Sequence, residues 1–145
     1  MFERLIESLG TISTRDDATQ ARNPETQLAA AILLYAVVPA DHVYASAESA
    51  ALHEGLRHIF RLPDDKCRKL VSRAMAQYSR EPTLLAPATL LKHRLSLSFR
   101  QLILATARRI ALADGELHNN ELDVLARISS LLGLNIAESS QNRSA

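Results

Sequence analysis

Between Leu28 and Pro39 the chain reads LAAAILLYAVVP, with no charged side chain. Just before it stands Asn23-Pro24-Glu25. That is a capping side chain, a proline at the first helical position and an acid in the first turn, a pattern that starts helices. The predicted helix carries Leu28, Ala31, Ile32, Tyr35 and Val38 on one side and Ala29, Ala30, Leu33 and Leu34 on the others, and Pro39 ends it. A helix that is apolar nearly all round has no face to give to water, so other elements must enclose it. The run is well short of the roughly 20 residues that span a bilayer. A soluble bundle built around this helix is the fold that the segment allows.

The rest of the 145 residues supplies the enclosing elements. Phe2, Leu5, Ile6 and Leu9 recur at helical spacing, and Gly10 to Asn23 is polar and aperiodic, as in a loop or linker. Leu52, Leu56, Ile59 and Phe60 predict the buried stripe of a helix that Ser46 can cap. After Leu62-Pro63-Asp64-Asp65, the residues Cys67, Leu70, Val71, Ala74 and Tyr78 share a face, with Lys66, Lys69, Arg73 and Arg80 on the far side. Leu84 to Arg94 is a further helix, with Pro87 tolerated in its first turn. Phe99, Leu102, Ile103, Thr106, Ile110 and Ala113 give the face of the next. Leu122, Leu125, Ile128 and Leu132 give that of the last, which Asn119 can cap and Gly133 stops. No segment alternates as a strand does. The expected fold is all-α: a single bundle of about seven helices. Residues 1–22 form a short helix and linker, 23–134 the domain, and 135–145 a polar tail.

A shift of 73 positions superposes the two halves. An apolar central helix leads to Asp41 in one and Asp114 in the other; seven residues later come Glu48 and Glu121. Ser46 matches Asn119, and Leu52 matches Leu125. Two pseudo-repeated helix-loop-helix units would pack their central helices together. In the second unit Asp114-Gly115-Glu116 forms the turn. Carboxylate and carbonyl oxygens are the ligands of hard divalent cations, and a glycine lets backbone carbonyls turn inward. The spacing is not that of an EF-hand loop. Local helix electrostatics account for Glu121 at a helix start but poorly for Asp114 at a helix end, where an anion is disfavoured by roughly 0.3–1 kcal/mol; Arg108 or Arg109 could offset it, and so could a cation. In the cation reading the candidate metal ligands are Asp41, Glu48, Asp114, Glu116 and Glu121, and His42 could add a nitrogen donor; otherwise these acids simply face water.

The segment ALADGELHNNELDVLARISSLLGL resembles the second acidic loop and final helix of TerB-like, tellurite-resistance-type proteins, and Leu28 onward resembles the first half of that pattern. In the first half His42 stands where the family pattern prefers glycine, and Val43 where the second half has Glu116. The resemblance implies an all-helical domain, acidic residues that hold a divalent cation, and a stress-linked role. Such domains also occur beside co-chaperone modules.

Other patterns carry less. The HEGLRH segment sets His53 and His58 five apart, about 140° around a helix, so they cannot share a zinc as in the metalloprotease motif. Residues 57–109 hold 12 basic and 3 acidic side chains, while the remainder is acidic. With aromatics at 4% and no reading helix, the basic stripe is the wet face of a helix, and no nucleic-acid partner is expected. Cys67 lies on an apolar stripe, as a core thiol does. A single cysteine and a start, MFERLIESLG, without an apolar signal core fit a cytoplasmic protein. No phosphate loop or nucleophile elbow is present. The expectation is a non-enzymatic module with a bound divalent cation and a protein partner. A metal-free, co-chaperone-like interaction domain is the alternative, and a metal-dependent hydrolase the more remote one.

Overall fold

The structure is a computed structural model that describes residues 16–38, 46–113 and 119–134. Seven helices lie among them: α1 (Asp17–Ala21), α2 (Pro24–Val37), α3 (Ser46–Phe60), α4 (Asp64–Arg80), α5 (Leu85–Arg94), α6 (Leu97–Ala111) and α7 (Asn119–Leu131). No described residue is in a strand. The helix expected over residues 2–9 lies outside the described residues.

Helix α2 is the axis of the fold. The side chain of Asn23 accepts from the backbone N–H of Glu25 and Thr26, at 2.8 and 3.4 Å. Ala29, Ala30, Ala31, Ile32, Leu33, Leu34 and Val37 are all buried. Every other described helix packs on α2, which explains how a helix without a polar face is tolerated.

The repeat appears in the packing. Helices α2 and α6 touch each other, and each contacts both α3 and α7. The caps repeat at the same spacing. Ser96, 73 residues after Asn23, accepts from Phe99 N–H at 3.2 Å. Helices α4 and α5 break the symmetry: both lie on α2, α4 also on α3, and α5 also on α7.

Four local findings depart from the sequence expectations. The polar segment read as a linker contains α1, which Asp16 caps by accepting from Thr19 N–H at 3.2 Å and Thr19 Oγ1 at 2.6 Å. Those bonds hold the Asp16 carboxyl below its ordinary pKa. The neighbouring Asp17 reaches a distant element, because Ser96 N–H and Oγ donate to its carboxylate at 3.0 and 2.5 Å. The polarity of this segment does not make it irregular: its acids satisfy helix N-termini.

The buried face of α6 is rotated from the expected one. Leu102 is 37% exposed, while Arg100, Leu104, Ala107 and Ala111 are buried. In α7, Leu122 is 46% exposed and Glu121 takes the inward position. Ser46 and Asn119, expected as caps, are themselves the first helical residues.

The last helix ends as expected at Gly133, whose φ is 77°. Leu134 N–H reaches the Ser129 carbonyl at 2.8 Å and Gly133 N–H the Ser130 carbonyl at 3.0 Å, a Schellman closure. Ser129 Oγ donates to the Leu134 carbonyl at 2.7 Å. Buried Arg100 then ties two helix ends together, donating from Nε to the Leu95 carbonyl at 3.2 Å and from Nη1 to the Leu132 carbonyl.

Candidate metal centre

The sequence placed five carboxylates at the two bends of the repeat. Asp41, Asp114 and Glu116 lie outside the described residues, as does His42. Glu48 and Glu121 are described, and the fold treats them alike. Each is the third residue of its helix, in the first turn of α3 and of α7 respectively. Each is buried, at 3% and 2% exposure.

That burial sets the pair apart. The described residues include ten acidic side chains, and only Glu48 and Glu121 are buried. A glutamate is seldom enclosed unless hydrogen bonds, a cation or a positive dipole compensates its lost hydration. Both glutamates do engage neighbouring groups. The first turn of a helix contributes partial positive charge, and a glutamate at the third helical position can reach back to backbone N–H groups. This helix-start chemistry explains part of the burial at both positions.

Whether the residues suit a metal is a question of the donor set. Carboxylate oxygens are what Ca²⁺ and Mg²⁺ take, usually six or more ligands including water. Among the described residues, no group of three or more His, Cys, Asp or Glu side chains converges. Glu48 and Glu121 thus fit a hard cation by chemistry and offer one carboxylate per bend. The remainder of any ligand set would have to come from Asp41 at one bend and from Asp114 and Glu116 at the other.

The discarded protease pattern is resolved geometrically. His53 Nδ1 lies 2.8 Å from the Ser49 carbonyl, one turn back in its own helix, and His58 is exposed. Cys67 is a core thiol, 1% exposed, with Sγ 3.4 Å from the His53 carbonyl. Burial pushes its pKa up, against thiolate reactivity. Beside it Arg57 pairs with Asp64, which holds that carboxyl below its ordinary range. The cations Lys66, Lys69, Arg73 and Arg80 are exposed, as a wet helix face should be.

One feature escaped the sequence reading. An ideal Cβ at Gly55 would sit 2.6 Å from Thr106 Cγ2, so a side chain there would force Thr106 or the α3–α6 crossing to shift. A glycine inside a helical pattern was the available signal.

The described residues thus form an all-helical domain with two repeated helix pairs, and the second helix of each pair carries a buried glutamate in its first turn. The family model for the tellurite resistance protein TerB matches residues 27–144, and the chain belongs to that family. No curated protein and no solved structure matches the chain. Among the described residues no helix is long and apolar enough to cross a membrane.

Proposed function

We propose that this chain is a non-enzymatic TerB module that holds a divalent cation at its acidic bends and serves a stress response through a protein partner in the cytoplasm. The observation that carries the metal reading is the selective burial of Glu48 and Glu121. These two alone, of ten described acids, are withdrawn from water, and they are the two that the repeat relates. Asp41 would share the first bend with Glu48; Asp114 and Glu116 would share the second with Glu121. When bound, the cation would neutralise carboxylates that otherwise repel one another. Membership in a family named for tellurite resistance supports the stress link.

Calorimetry on the metal-stripped full chain with Ca²⁺, Mg²⁺, Mn²⁺ and Zn²⁺ tests the reading. Saturable binding is expected for at least one, weakened about tenfold or more by Glu121→Gln and by Glu48→Gln, since each removes a charged ligand. Four flat isotherms, or affinities that ignore both substitutions, would leave the metal-free interaction domain as the better description.

A further inference from the structure

The geometry points to a binding site for a small organic carboxylic acid in the groove between α3 and α6, apart from the acidic bends. The groove, open to solvent along one side, has a volume of about 810 Å³, within the range of small-molecule sites. Its floor is built from Ala51, Gly55 and Thr106, with Leu112 at one end. At Gly55 the two helices pack closely, with the glycine against the Thr106 side chain.

The walls decide the charge of the occupant. Arg57 lines the groove but is committed to Asp64 through an ion pair. Arg109 lines it too, and has no ion-pair or hydrogen-bond partner among the described residues. A planar guanidinium beside an apolar floor suits a carboxylate attached to an apolar body, held by two parallel charge-assisted bonds. His58 also lines the groove, and Glu54, in the same lining, disfavours a ligand of high negative charge. The site therefore selects a monoanion over a bare polyanion.

The test is a titration of the isotopically labelled full chain, in chelator, followed by amide NMR shifts. The probes are benzoate, its neutral analogue benzamide, and inorganic phosphate. Benzoate is expected to shift Ala51, Gly55 and Thr106 saturably below about 10 mM, while benzamide and phosphate bind about tenfold more weakly or less. Arg109→Gln should lower benzoate affinity about tenfold, and Ala51→Leu, which fills the groove from a partly exposed position, should abolish it. Unchanged unfolding curves for both variants show that the fold survives. The inference is overturned if benzoate produces no saturable shift, if benzamide or phosphate binds as well, or if Arg109→Gln binds benzoate normally. Chelator separates these outcomes from failure or success of the cation reading.

Discussion

Helices α2 and α6 begin 73 residues apart, after equivalent caps at Asn23 and Ser96, and each contacts both α3 and α7. Their surroundings nevertheless differ. Ala29 and Ile32 are buried at 4% and 6%, yet their counterparts Leu102 and Ala105 are exposed. The difference follows from what the chain adds between the repeats. Helices α4 and α5 pack on α2, and the described chain has no comparable pair laid on α6. One central helix is enclosed and becomes the core; the other keeps an open side, where the α3–α6 groove lies. A duplicated unit has thereby produced one structural centre and one surface.

The sharpest way to break this comparison is to truncate equivalent positions. Ile32→Ala should cost about 2–5 kcal/mol in denaturant unfolding. Leu102→Ala, three residues from the exact equivalent but on the corresponding open face, should cost less than about 1 kcal/mol. Similar costs would show that the open face of α6 is covered in solution.

A second pair compares the tethers. Arg100 is the counterpart of Gln27, whose Nε2 donates to the Ala21 carbonyl at 2.7 Å. Both side chains reach back to a carbonyl just before their helix, but Arg100 is buried and also holds the Leu132 carbonyl. Arg100→Met should destabilise by about 1.5–3 kcal/mol and Gln27→Met by about 0.5–1.5 kcal/mol, read from the same unfolding curves. Equal losses would mean that the link to α7 adds nothing.

Removing the caps should have a smaller effect than losing Arg100. Asn23→Ala and Ser96→Ala should each cost about 0.5–2 kcal/mol. Ser96 also binds Asp17, so Asp17→Ala and Ser96→Ala should be less than additive in a double-mutant cycle. Full additivity would detach α1 from its assigned role.

The smallest effect concerns pH. Arg57 lowers the Asp64 pKa, so the stabilisation is present at neutral pH, above the unfolded carboxyl's value, and disappears as pH falls through the folded one. Arg57→Gln should raise the Asp64 titration midpoint seen by carboxyl NMR. Both side chains are largely solvated, at 44% and 63% exposure, so the unfolding curve at neutral pH should hardly move.

Much of this was legible in the residues. Six of the seven described helices stand where periodicity and capping placed them, because apolar spacing and cap chemistry act over a few neighbouring residues. Helix α1 was missed because Asp16 and Asp17 read as loop polarity, whereas one caps its own helix and the other reaches Ser96 across the fold. The buried face of α6 is turned from the expected one, whereas for α7 Leu125, Ile128 and Leu132 are buried as expected and only Leu122 faces water. Leu102 and Leu122 fit an apolar stripe as well as their neighbours do, and only the helices packed alongside choose between them: α2, α3 and α7 for α6, and α2, α5 and α6 for α7. For the acids, the repeat picked out Glu48 and Glu121, but not that these alone among the described acids would be buried.

By itself, then, the order of residues determined the helical class, the central place of α2, the 73-residue repeat and membership in the TerB family. Those features depend on local spacing and on how much apolar surface each helix must hide. Tertiary structure decided which copy of a repeated helix is enclosed, which leucines face water, and that α3 and α6 meet at Gly55 with a groove beside them. Such outcomes depend on which segments compete for the same side of a helix, and that competition is settled only when distant parts of the chain pack together.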